Sequence, residues 1–244
     1  QVPEIVGEIR SARSSDIDLI SNLNMPHFAY WGHNDGVGTQ IREAENAGSF
    51  VALNASAWPT NAFFYRDSIC NPGCGGLLDA ARLSSWVKGT PPDPVFDFGG
   101  QSASASPVAG VRWTTTNRHI DYVWDETSAR WLRFQDGELL LDANGSQLGA
   151  DNVVLLYTFY TQSVADPRSP EALSTGSGGG KLFRQGTART ITWDRPTAAD
   201  SWHFAESGTR KLATLVPGTT WVGLIKAGEM TILNSAETAP LLAL

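Results

Sequence analysis

The chain has 244 residues, enough for one large domain or two small ones with a proper core. Its formal net charge of −7 argues against general nucleic-acid binding, which needs a basic field to displace counterions. No apolar run is long enough to suggest a membrane-spanning helix.

Gln1-Val2-Pro3 runs straight into the strand-like "VPEIVGEI", so a processed or truncated chain is expected. "VGEIRSARSSDIDLI" then sets Arg10, Arg13 and Asp16 at the edge of a predicted helix, with Ser14 and Ser15 as N-cap candidates and Ile17, Ile20 and Leu23 on one face. Two arginines ahead of a helix N-terminus suit an anionic ligand, while ion pairing that fastens the junction is the commoner use of such a cluster. "HFAYW" reads as a short apolar strand. "DGVGTQIREAENAG" reads as a helix capped by Asp35 and stopped at Gly48, with His33 and Asn34 in the loop before it. "SFVALNA" is the next strand, and "GGLLDAARLSSWVKG" reads as an amphipathic helix closed by Gly89.

Between them lies "YRD", where Arg66 and Asp67 stand at a strand end. Adjacent strand residues face opposite ways, so both reach one pocket only if the chain bends. Cys70 and Cys74 flank the turn sequence "NPG". A small-loop disulfide, free thiols and half of a metal site are all open, with the disulfide preferred. No neighbouring His completes a zinc set, so no metal is expected.

"GTPPDPVFDFGGQSASASPVAG" is an exposed connection rich in Pro, Gly and Ser. Beyond it, "GVRWTTTNRHIDYVWDETSARWLRFQDGELLLD" alternates like a β-meander with turns at "DETS" and "QDGE". "DNVVLLYTFYT" reads as a strand buried on both faces. "KLFRQGTARTITWDR" and "GTTWVGLIKAGEMTILN" read as hairpins. The expected fold is α+β: a helix-covered mixed sheet over residues 1–100, then a β-rich, mostly antiparallel part over 101–244.

Familiar catalytic motifs are missing. "TGSGGGK" fails as a phosphate loop, because Thr175 stands where Gly is required and Leu182 follows Lys181. "DANGSQ", from Asp142, is better read as a turn than as a calcium loop. There is no G-x-S-x-G or H-E-x-x-H, and no cofactor is expected.

Taken together, "VGEIRSARSSDIDLI", "FAYWGHNDGV", "FFYRD", "RWLRFQDGELLLD", "ADNVVLLYT", "TGSGGGKLFRQGTARTITW" and "PGTTWVGLI" stand in the order seen in YerB-like proteins, and the chain resembles that family from about Val2 to Ile225. The resemblance implies a bacterial cell-envelope protein held outside the cytoplasm by a lipid on a precursor segment upstream, with a domain of unknown function and a smaller C-terminal domain. It also strengthens the disulfide reading. Its matching polar residues here are Arg10, Arg13, Asp16, Asn34, Arg66, Asp67, Arg133, Asp142 and Asn152. The family's Pro-His-Asn after "YRD" is replaced by "NPGCGG", and the His before the aspartate is replaced by Leu141. Losing both histidines favours binding over catalysis. The expected role is a binding module for an anionic cell-wall glycan or peptide, ahead of an envelope assembly partner and a carboxylate-dependent hydrolase using Asp16, Asp67 or Asp142.

Overall fold

The computed structural model describes residues 5–65, 76–86, 90–100, 105–115, 117–142 and 144–244. Arg66, Asp67, Cys70 and Cys74 therefore lie outside the described residues, and so does the anticipated disulfide. The chain divides into two compact units. The first comprises 1–95 with 161–171 and 198–200, and the second comprises 96–160, 172–197 and 201–244.

The first unit contains β1 (Ile5–Ile9), α1 (Ser14–Ile20), β2 (His27–Tyr30), α2 (Asp35–Asn46), β3 (Val51–Asn54), β4 (Phe64–Tyr65) and β5 (Gly76–Asp79). β2 and β3 run parallel, which requires a crossover, and α2 supplies it. α2 buries Val37 and Ile41, one turn apart, in a cluster with Ala12, Tyr30 and Phe50. Its cap is Asn34 rather than the anticipated Asp35, which begins the helix. Gly48 adopts φ 81° just after the helix ends, as the sequence predicts for a C-terminal stop.

The helix expected over "GGLLDAARLSSWVKG" is instead β5 followed by a 3-10 turn at Ala81–Trp86. Tertiary pairing overrides the helical spacing. Leu78 is matched to Val6 on one side and Phe64 on the other, making the antiparallel sheet β1–β5–β4. Gly76 passes so close to the Trp31 ring that an added Cβ would stand 1.5 Å from it. The described strands β1 to β5 thus form two separate sheets instead of the single helix-covered mixed sheet anticipated.

The second unit continues with β6 (Ser106–Pro107), β7 (Gly110–Thr114), β8 (His119–Asp125), β9 (Arg130–Gln135), β10 (Glu138–Leu139), β11 (Gly149–Ala150) and β12 (Asn152–Tyr157). A small pair, β13 (Tyr160–Gln162) and β14 (Pro170–Ala172), bounds the 161–171 segment that belongs to the first unit. Then come β15 (Gly176–Arg184), β16 (Thr187–Arg195), β17 (His203–Glu206), β18 (Thr220–Ile225), β19 (Met230–Leu233) and α3 (Ser235–Leu242). One sheet has the order β10–β9–β8–β7–β19 and the other β17–β16–β15–β12–β18. The protein is predominantly β, its sheets mostly antiparallel, with three α-helices among the described residues. No described helix is long and apolar enough to cross a membrane.

The meander forms as the alternation predicts, with Asp125 closing the "DETS" turn by accepting from the Thr127 and Ser128 amides. Gln185 and Gly186, both at positive φ, make the tight β15–β16 turn. "TGSGGGK" lies mostly on β15, a strand rather than a loop before a helix. β12 is buried along both faces, as its continuous apolar run requires. Val153 and Leu155 join Val111, Tyr122, Trp131 and Phe183 between the sheets, while Val154 and Leu156 pack with Leu182, Ile191, Trp193 and Phe204 on the far side. "GTTWVGLIKAGEMTILN" is not a hairpin. β18 runs parallel to β12, and β19 crosses to the other sheet beside β7.

Asn152 is fully buried where β12 begins. Its side chain donates to Val216 O (2.9 Å) and Thr220 Oγ1 (3.1 Å) and accepts from Val216 N (2.9 Å). Removing it leaves a buried amide and carbonyl without their partner. Asn152→Ala should lower unfolding stability by about 2–4 kcal/mol in denaturant titration, whereas a loss near zero would show that this clamp is unimportant.

Candidate functional site

The segment that follows β1 explains its own sequence. Arg10 and Ala12 extend beside the end of β2, with Trp31 N–H donating to Arg10 O (2.8 Å) and Ala12 N–H to Gly32 O (3.0 Å). Ala12 is buried there. The chain then turns into α1, and the Asp16 carboxylate reaches back to accept the Arg13 N–H at 2.8 Å. This is the back-reaching half of a capping box, which sets the three-residue spacing between Arg13 and Asp16. Burial raises the Asp16 pKa, opposed by the Arg13 amide bond and charge. Arg10 pairs with Glu8, and the exposed Arg13 guanidinium makes only long contacts to the Ser11 (3.4 Å) and Ala12 (3.3 Å) carbonyls.

Asn34 does two jobs. Its Oδ1 accepts the Val37 N–H (2.8 Å), capping α2, and its Nδ2 donates to Ala165 O (3.1 Å). This second bond ties the segment 163–171 onto the start of α2. Gly36 permits the close approach, since a Cβ there would lie 3.0 Å from Ala165. The tie continues through hydroxyls. Ser14 Oγ donates to Gln40 Oε1 (2.7 Å) and sits 2.8 Å from the buried Ser163 Oγ.

A cavity of about 660 Å³ lies among Ser11–Ser15, Gly32–Asn34 and the 163–171 segment, all within the first unit. Its lining is rich in residues that carry hydrogen-bonding groups, Ser11, Ser14, Ser15, Ser163 and Ser169 among them. His33 also lines it. The imidazole lies against α2 where Gly38 leaves room, and Nδ1 is 2.9 Å from Asn34 O. A carbonyl only accepts, so Nδ1 is the donor in this contact. Two carboxyls at the cavity are pushed apart. Burial raises Glu171, assisted by the Asp18 charge and opposed by a Ser163 hydrogen bond, while the Ser169 hydroxyl leads the bonds that lower Asp166. No group of three or more His, Cys, Asp or Glu side chains suited to a metal is found among the described residues.

Of the residues singled out in the sequence, Arg13 and Asn34 line this cavity, and Arg10 and Asp16 belong to the junction beside it. Arg133 and Asp142 belong to the second unit and are not brought into the same cavity. Arg133 is nine-tenths buried, its guanidinium 4.0 Å from the centre of the Trp221 ring. Asp142 closes a turn by accepting from Asn144 N (2.8 Å) and Ser146 N (2.9 Å). Sequence reasoning missed Ser163, Asp166 and Glu171. The Asp-Pro and Ser-Pro steps in "ADPRSPE" mark a turn-rich loop, but nothing in them says which unit the loop joins.

Residues 109–222 match the family model for the C-terminal domain of DUF3048, a protein of unknown function. The crystal structure of YerB from Bacillus subtilis is similar, with a TM-score of 0.76 and 20% sequence identity over 96% of this chain and 79% of that one. Residues 109–222 therefore resemble the DUF3048 C-terminal domain, and the chain as a whole is similar to YerB in fold. No curated protein matches it. At that identity the YerB likeness speaks for the fold alone, and the chemistry of this YerB-like chain has to be read from its own residues.

The raised Glu171 carboxyl has a signed consequence. The unfolded carboxyl ionises first, near 4.5, so the group favours the folded state at lower pH and its stabilisation is lost as pH rises through the higher folded value. Glu171→Gln should therefore gain melting temperature relative to the parent between pH 4 and pH 7. An unchanged difference across that range would mean that Glu171 is not held in a desolvated position.

Proposed function

We propose that this YerB-like chain is an extracytoplasmic binding module of the bacterial cell envelope, and that its first-unit cavity takes a polar ligand bearing an anionic group, of the cell-wall glycan or peptide kind. The envelope location and the lipid tether rest on the family resemblance. The observation that carries the ligand class is the set of residues lining the cavity: five serines, His33, Asn34 and the exposed Arg13. Such a surface suits a ligand rich in hydroxyl and amide groups better than an apolar one. Arg13 supplies a fork suited to a carboxylate or phosphate.

A carboxylate-dependent hydrolase is the second reading, and one observation favours it. Glu171 is shifted up and Asp166 down at the same cavity, which is how environment divides an acid from a base. The earlier candidates Asp16 and Asp142 are not among the residues lining the cavity, so Glu171 and Asp166 replace them in this reading.

Calorimetric titration with the disaccharide N-acetylglucosaminyl-N-acetylmuramic acid carrying L-Ala-D-Glu tests both. Binding that weakens about tenfold in Arg13→Ala, roughly 1.4 kcal/mol, is expected. Equal affinity in the variant would overturn the assignment of the anion contact. Mass spectra of the same samples separate the readings, because cleaved disaccharide would replace binding with hydrolysis.

A further inference from the structure

A second surface, wholly within the second unit, carries chemistry of a different kind. β15 outruns its neighbour. Its ladder with β12 is registered from Asn152 opposite Arg184 to Leu156 opposite Gly180, whereas its ladder with β16 continues to Gly176. Residues 176–179 thus have no registered β12 partner, and backbone groups on that edge face a groove of about 750 Å³. In an antiparallel strand alternate residues point their N–H and C=O to opposite sides, so part of this edge is open for hydrogen bonding.

The floor of the groove has no side chain at Gly179, where a Cβ would lie 3.5 Å from the Tyr157 ring. Trp193 lies beneath the neighbouring Gly178, with its indole N–H donating to Tyr157 O (3.2 Å). Phe159 forms part of the wall and is 82% exposed. Tyr160 is anchored through its hydroxyl to Leu224 O (2.6 Å), with Lys226 Nζ 5.2 Å from its ring centre. Among the described residues no carboxylate lines the groove, and Glu229 is engaged by the Lys226 backbone N–H (3.0 Å) rather than by its ammonium.

These features narrow the occupant. Exposed aromatic rings take a flat C–H face, the open strand edge and the hydroxyls of Thr175 and Ser177 take a hydroxylated rim, and the ammonium takes an anion. A lipid chain would use the rings and waste the polar half. We propose that this groove is a saccharide-binding subsite for a pyranose bearing a carboxylate. The ring lies over Gly179 and against Phe159, and the carboxylate faces Lys226. This subsite is independent of the cavity in the first unit.

Two variants test it without attacking the fold. Phe159→Ala removes an exposed ring, and Gly179→Ala fills the floor at ordinary van der Waals distance. The whole protein, isotope-labelled, would be titrated by NMR with N-acetylglucosaminyl-N-acetylmuramic acid and with N,N′-diacetylchitobiose, which lacks the lactyl carboxylate. The expected result is movement of the amides of 176–179 and the Trp193 indole, about fivefold weaker at those resonances in either variant. Lys226→Met should weaken the acidic sugar about fivefold and leave chitobiose unchanged. Shifts confined to other residues, variants that bind as the parent does, or decanoate moving these resonances while both sugars leave them still would each overturn the proposal. Because the residues followed all belong to the second unit, failure here is separate from failure of the Arg13 contact.

Discussion

Everything proposed for the first unit depends on one side chain that joins two distant stretches of sequence. Asn34 caps α2 through its carbonyl oxygen and holds Ala165 through its amide nitrogen, across 131 positions. Without the cap, an orphan N–H at the start of α2 loses its acceptor. Without the Ala165 contact, the 163–171 segment loses the bond that seats it against Gly36. The Ser14–Ser163 contact and the positions of Asp166 and Glu171 follow from that seating. A residue that would ordinarily be noted as a helix cap is here also the wall fastening of a cavity.

The segment "RSARSSD" is built on the same principle. Asp16 is occupied by the Arg13 backbone, and Ala12 is buried between the β2 end and α2. What remains outward is the Arg13 guanidinium and a row of hydroxyls. Structural and ligand-facing roles therefore coexist in seven residues, divided between backbone-directed and solvent-directed groups. In the second unit, Asn152 and Asp142 are turned toward backbone partners and Arg133 toward aromatic rings. Packing and turn closure account for these residues.

Periodicity made much of this fold legible. α1, α2, the meander and the Gln185–Gly186 hairpin are readable because their signals are local: spacing, alternation and turn residues, although the helix caps fall on Arg13 and Asn34 rather than on Ser14, Ser15 and Asp35. "GGLLDAARLSSWVKG" was misread because its leucines satisfy a helical spacing equally well. The decision lay with Val6, Phe64 and Trp31, which sequence does not place beside it. The strands around "KAGE" were readable singly, but their parting into different sheets depends on β12 and β7, which offer each a separate edge. The cavity was half legible for a similar reason. Arg13 and Asn34 stand in recognisable motifs, whereas Ser163 and Glu171 matter only because a loop returns to the first unit.

The most direct test of the account is a crystal structure of the protein grown with N-acetylglucosaminyl-N-acetylmuramic acid carrying L-Ala-D-Glu. The account predicts ligand density in the first-unit cavity, with an acidic group against Arg13 and hydroxyl or amide groups against Ser14, Ser163 and His33. Density absent from that cavity, with 163–171 seated on α2 as described, would contradict it.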